Sequence, residues 1–171
     1  MFLRLIVAAT PDGGIGANGG IPWNVPEDRR WFREWTRGET VVMGRRTWDS
    51  LGRHPLPDRH NIVVSSTLVD PRVCVVSSVS EAIARATTET VWIIGGKRMY
   101  EDALQHAEML EMIVLTTIYG SFTCDTRVEA LCNLKDRGFQ CVWTSRLFSS
   151  DGVRFRYRVF TVQKTVRNVR L

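Results

Sequence analysis

The feature that most restricts the fold is a set of short, unbroken apolar runs. They read LRLIVAAT (Leu3–Thr10), TVVMG (Thr40–Gly44), NIVVSS (Asn61–Ser66), TVWIIGG (Thr90–Gly96) and MIVLTTI (Met112–Ile118). None alternates apolar with polar residues, so each suits a strand covered on both faces. Such strands need helices above and below. Helical stretches do stand between them, and this alternation gives an α/β sheet, largely parallel, with flanking helices. The chain end differs. QCVWTSRLFSSDGVRFRYRVFTVQK reads as two long strands joined by SSDG, an Asp-Gly hairpin signal. Val153, Phe155, Tyr157 and Val159 alternate with Arg154, Arg156 and Arg158, giving one apolar and one wet face. A C-terminal antiparallel hairpin on one edge is therefore expected.

The helices have their own punctuation. Pro26 suits a first helical position, with Asn24 or Val25 at the cap, and the helix should reach about Thr36 and stop near Gly38. RRTWDSLG opens directly at the end of the second strand. SVSEAIARA is a helix with Ser80 as a plausible cap, and KRMYEDALQHA is another. PDGGIGANGG is a flexible, glycine-rich loop able to shift over a ligand.

The chain has 171 residues, which suits a single domain over 1–171, with a thin basic tail at 164–171. No apolar run is long enough for a membrane span, and MFLRLIVAAT is read as a buried strand rather than a signal peptide. The four cysteines, Cys74, Cys124, Cys132 and Cys141, lack metal-binding spacing and are expected to be reduced and packed as small apolar residues in a cytoplasmic protein. His54, His60 and His106 lack metal spacing too and read as surface residues. The net charge of +5 is scattered, densest at Arg29–Arg30 and Arg45–Arg46. A dispersed excess suits small anionic ligands or solubility more than specific nucleic-acid binding.

Ligands of open α/β sheets bind beyond the carboxyl ends of the strands. Here VVMG runs into RRTW, VVSS ends in hydroxyls, and WIIGG ends in a glycine pair before a helix. Arg45 and Arg46 can fork onto phosphate oxygens. Ser65 and Ser66 can donate hydrogen bonds, and Gly95 and Gly96 permit close backbone approach. Together these resemble a dinucleotide pocket, although no G-x-G-x-x-G follows the first strand. Asp28 raises a separate question, because it stands in IPWNVPEDRRWF among large rings. It is either an ordinary exposed first-turn carboxylate or one held in an apolar pocket, where it could pair with a flat amidine-like ring.

The segments GGIGANGGIPWNVPEDRRWF, VVMGRRTWDSLG, PLPDRHNIVVSS and VWIIGGKRMYEDAL, with Asp125-Thr126, resemble the dihydrofolate reductase family in content and order, over about Phe2 to Lys164. The resemblance implies a mixed, mostly parallel eight-stranded sheet, NADPH as hydride donor and 7,8-dihydrofolate as acceptor, in a protein expected to be monomeric. It implies that Asp28 binds the pterin 2-amino group and N3, with Trp23 and Thr116 completing the polar end. Ile6, Phe32, Leu51, Leu56 and Ile94 would line the substrate site, and Arg59 would pair with the glutamate α-carboxylate. Arg29, where the family has a larger apolar or neutral residue, would reach the tail or turn to solvent. Ala8, Ile15, Gly20, Gly44 and Thr47 would line the cofactor cleft. Arg45, Arg46, Ser65, Ser66 and Thr67 would meet the adenosine and its 2′-phosphate. Gly95, Gly96, Lys97, Arg98 and Tyr100 would hold the pyrophosphate and nicotinamide, with a cis Gly95–Gly96 bond, while the loop from Asp12 to Pro22 would close over the site. Val128-Glu129 stand where most relatives carry Phe-Pro, and His54 adds a residue before PLP. A reductase family of the same fold acting on a ribosylaminopyrimidine resembles the IGG strand but lacks PWNVPED and PLPDR.

Overall fold

The computed structural model describes residues 1–162, so the basic tail at 164–171 lies outside the described residues. The apolar runs become the strands β1 (Phe2–Ala9), β3 (Thr40–Gly44), β4 (His60–Val64), β6 (Thr90–Gly95) and β7 (Leu110–Tyr119). β2 (Gly14–Gly16), β5 (Cys74–Val76) and β8 (Thr126–Arg127) are short, and β9 (Phe139–Thr144), β10 (Phe148–Ser150) and β11 (Val153–Val162) close the order. The helices are α1 (Pro26–Thr36), α2 (Arg45–Ser50), α3 (Val79–Arg85) and α4 (Lys97–Gln105).

The main sheet runs β10-β11-β7-β1-β6-β3-β4-β5, with β9 also paired to β11. The pairs of β1 with β6 and β7, of β3 with β4 and β6, and of β4 with β5 are parallel. Those of β11 with β7, β9 and β10 are antiparallel. The parallel strands are indeed dry on both sides: Leu5, Val41, Val42, Met43, Ile62, Val63, Val91, Ile93, Ile113 and Val114 are wholly buried. Burying such side chains is the dominant favourable contribution to the fold.

Several local expectations need correction. The cap of α3 is Ser78, not Ser80. Its Oγ accepts from Glu81 N at 3.1 Å, and Glu81 Oε2 accepts from Ser77 N and Ser77 Oγ, each at 2.9 Å. Serine three places before glutamate is the capping-box spacing, which Ser80 cannot offer. Ser78→Ala is expected to cost about 1 kcal/mol of stability, read as a lower urea midpoint at unchanged slope. The segment expected as one long strand before SSDG is two strands, β9 and β10. Ser145 interrupts them, its N donating to Tyr157 O at 2.9 Å and its Oγ accepting from Tyr157 N at 3.0 Å. The glycine-rich segment is not wholly loop, because β2 pairs with β8. Val128, where most relatives have Phe, is fully buried and donates to Gly13 O at 2.8 Å.

Candidate functional site

α1 starts at Pro26 after Val25, the observed cap; Asn24, the other candidate, instead accepts from Arg29 Nη1 at 2.7 Å. Helical spacing then turns Asp28, Trp31, Phe32 and Trp35 toward the sheet. Thr116 of β7, paired with Ala8 on one side and Tyr157 on the other, donates from Oγ1 to Asp28 Oδ1 at 2.6 Å. Burial pushes the Asp28 carboxyl above its ordinary value, against the opposing pull of Thr116 and the Arg29 charge. The exposed first-turn reading of Asp28 is thereby overturned.

The surroundings are aromatic. Trp31 stacks on Tyr157 with ring centroids 4.3 Å apart, and Trp23 meets Phe122 edge-on at 5.5 Å. Burial, with the nearby Asp28 charge, pushes the Tyr157 hydroxyl up to about 12. Phe32, Leu51, Leu56 and Ile94 all pack partly exposed against the apolar cluster that contains Ile6 and Trp48, so the expected apolar wall is contiguous. At its far end Arg59 lies over Phe32, 5.9 Å from the ring centroid. Its Nε donates to Pro57 O at 2.8 Å and its Nη1 to Thr36 Oγ1 at 3.1 Å. These bonds hold the guanidinium beside the last turn of α1, whose first turn carries Asp28. Arg29 does not join the cleft in this structure: it is exposed and bonded to Asn24.

The second half of the site lies at the carboxyl ends of β3, β4 and β6. The Gly95–Gly96 bond is cis. A Cβ on Gly95 would come within 3.2 Å of Tyr100 Oη and 3.3 Å of Thr47 Oγ1, and one on Gly96 within 3.3 Å of the same threonine oxygen. On Gly44 it would meet Met99 Cγ at 3.3 Å. The three glycines thus leave a bare backbone surface at the starts of α2 and α4, suited to an anionic group. Arg45 and Arg46 are exposed beside it, and Arg45 Nη1 donates to Thr67 Oγ1 at 2.9 Å. A phosphorylated dinucleotide fits this donor set. Tyr100 differs from expectation: it is buried, and its hydroxyl donates to Ile6 O at 3.0 Å. It supports the glycine pair from below rather than presenting a free donor. Lys97 pairs with Glu101 at 3.6 Å, whereas Arg98 is exposed. Ser65 Oγ is engaged by Thr67 N and Leu68 N, at 3.3 and 3.0 Å, leaving Ser66 as the exposed hydroxyl.

The loop from Asp12 to Pro22 is tied across the chain. Asp125 Oδ2 accepts from Asn18 N at 2.7 Å, and Arg127 pairs with Asp12. Ile15 packs inward against the main core, and Gly20 bridges back to Ala17. His60 is half-buried beside Thr40 rather than on the surface, while His54 and His106 are exposed. Among the described residues all four cysteines are free; Cys124 is buried but Cys132 is exposed, contrary to the packing expected of it. No helix among the described residues is long and apolar enough to cross a membrane.

The sequence reading missed Tyr157, which the alternation along β11 placed on an apolar face without saying what it faced. It also missed the Asp70–Arg72 pair, whose i,i+2 spacing carries no motif.

The dihydrofolate reductase family model matches residues 2–164. The dihydrofolate reductase of Mycobacterium tuberculosis (strain ATCC 25618 / H37Rv) is 46% identical over 159 residues, covering 91% of this chain and 94% of the relative. That of Mycobacterium leprae (strain TN) is 39% identical over 162 residues, covering 89% and 93%. The enzyme of Buchnera aphidicola subsp. Acyrthosiphon pisum is 38% identical over 112 residues, covering 64% and 70%. With the match extending over nearly the whole chain, the chain belongs to the dihydrofolate reductase family.

Proposed function

We propose that this chain reduces 7,8-dihydrofolate to 5,6,7,8-tetrahydrofolate with NADPH, acting as a cytoplasmic monomer that supplies one-carbon metabolism. The observation that carries the substrate placement is the Asp28–Thr116 hydrogen bond beside the Trp31–Tyr157 stack. Asp28 accepts from the pterin 2-amino group and N3–H, a pair of parallel donors matched to its two oxygens. Thr116 fixes which oxygen faces the ring, and Trp23 closes the polar end. Ile6, Phe32, Leu51, Leu56 and Ile94 enclose the rings, and Arg59 takes the glutamate α-carboxylate.

When bound, NADPH supplies the hydride that pterin C6 receives. The protein positions the acceptor against that donor, a contribution that can reach several kcal/mol. N5 must then gain a proton. Asp28 favours the protonated pterin electrostatically and orders the water that delivers the proton, rather than reaching N5 itself. Closure of the Asp12–Pro22 loop excludes bulk water.

Arg45 and Arg46, with Ser65, Ser66 and Thr67, recognise the 2′-phosphate. Ala8, Ile15, Gly20, Gly44 and Thr47 line the cleft, while Gly95, Gly96, Lys97 and Arg98 approach the pyrophosphate. Calorimetric titration of the cofactor-free protein tests this. Arg45→Ala and Arg46→Ala are expected to weaken NADPH about tenfold or more, the scale of a lost charge-assisted bond, and to leave NADH nearly unchanged. Equal losses for both dinucleotides would reject the placement. Turnover itself is read from the loss of NADPH absorbance with dihydrofolate present.

A further inference from the structure

Asp70 is only 8% exposed, a burial acids tolerate only when fully partnered. Trp48 Nε1 donates to its Oδ2 at 3.2 Å. Arg72 donates from Nε to Oδ1 at 2.8 Å, from Nη2 to Oδ2 at 2.7 Å, and from its backbone N to Oδ1 at 3.1 Å. The Arg72 guanidinium also lies over the Trp48 ring, 6.0 Å from its centroid. The Arg72 bonds hold the Asp70 carboxyl well below the usual carboxylate range, so it stays charged at working pH.

The two ends of this arrangement belong to different walls of the cofactor cleft. Trp48 is fully buried in α2, directly after Arg45, Arg46 and Thr47. Asp70 ends the segment that leaves β4 through Ser65, Ser66 and Thr67. Two links therefore join the same walls. The outer link, Arg45 to Thr67, is exposed and uses a guanidinium that a bound phosphate would engage. The inner link, Trp48 to Asp70, is buried and remains when that guanidinium is occupied. Donors drawn from two segments grip one phosphate only if the segments keep a fixed spacing.

We propose that Asp70 is a positioning residue for the cofactor: by holding the Trp48 indole it sets the spacing between α2 and the Ser65–Thr67 segment, and with it the preference for NADPH over NADH. This rests on the cofactor placement proposed above. A bond that merely stapled the fold would lower the melting temperature of a variant and leave dinucleotide discrimination intact.

The test is calorimetric binding of NADPH and NADH to cofactor-free Asp70→Leu, which keeps the volume but removes both acceptor oxygens, and Trp48→Phe, well below their melting temperatures, with dihydrofolate as control ligand. Trp48→Phe keeps a ring but removes the N–H donor. Each variant is expected to bind NADPH about tenfold more weakly, NADH less than about threefold more weakly, and dihydrofolate as the parent does. Because both changes cut one link, the double variant should lose no more than the worse single one. Unchanged NADPH affinity, or equal losses of NADPH and NADH, overturns the proposal. If Asp70→Leu does not fold, Trp48→Phe decides by the same two outcomes. Arg45→Ala in the same assay separates the levels. If it discriminates while the other two variants do not, the placement stands and the positioning role falls. If it loses both cofactors equally, the placement falls and takes the positioning role with it.

Discussion

Asp28→Asn is expected to lower kcat/KM for dihydrofolate about 10²–10³-fold, the scale of removing one preorganised electrostatic group. NADPH affinity should stay within about twofold, because the proposed placement gives the carboxylate to the pterin and the glycine and arginine donors to the cofactor. Steady-state rates with direct cofactor titration check both, and rapid turnover by the variant at neutral pH would remove Asp28 from the mechanism. Stability should move the opposite way. Burial raises the Asp28 carboxyl above its ordinary 3.8 in the folded protein. A group shifted upward contributes stability that is fully present below its unfolded value and is lost as pH rises through its folded value. The parent therefore loses that contribution as pH rises from the ordinary carboxylate range through the raised folded value, and the asparagine variant does not. At pH 7 Asp28→Asn should melt no lower than the parent, with a flatter dependence of melting temperature on acid. An acid that slows the reaction when removed but burdens the fold when charged is retained for chemistry rather than for stability.

Gly95→Ala is expected to weaken NADPH at least about tenfold and to lower the melting temperature. The cause is local. Gly95 has φ of +126°, where an L side chain is strained. The new methyl would also press on Tyr100 Oη at 3.2 Å and Thr47 Oγ1 at 3.3 Å. Tyr100 cannot swing aside cheaply, because it is buried and its hydroxyl is bonded to Ile6 O. The displacement would pass to Thr47 and the start of α2, where the proposed cofactor donors stand. Wild-type NADPH affinity in a folded Gly95→Ala protein would show that the glycine pair is not needed for close approach.

Much of this site is a consequence of short-range rules. The apolar runs gave strands because nothing polar interrupts them, and Pro26 set the start of α1 through its fixed φ and absent N–H. The glycines ending β3 and β6 and the arginines after Gly44 are adjacent in the chain to strand ends, so a parallel sheet carries them to one edge whatever the loops do. Boundaries were less legible where local signals competed. Ser78 and Ser80 are both serines near a helix start, and only the reach of Glu81 back to Ser77 separates them. The break between β9 and β10 has no breaker residue. It is made by Ser145 bonding Tyr157 in the neighbouring strand, a partner twelve residues away along the chain.

The sequence by itself determined the strand–helix order, the acid inside the first turn of α1 and the glycine and arginine donors at the strand ends, because each depends on residues within a turn or two of one another. Only the tertiary structure decided that Asp28 meets Thr116, 88 residues away, that Tyr157 stacks on Trp31, that Arg29 turns to Asn24, and that Asp70 reaches Trp48. Those contacts join elements far apart in the chain. Burial then gives them their strength, since a carboxylate or indole withdrawn from water must find its partner inside the fold.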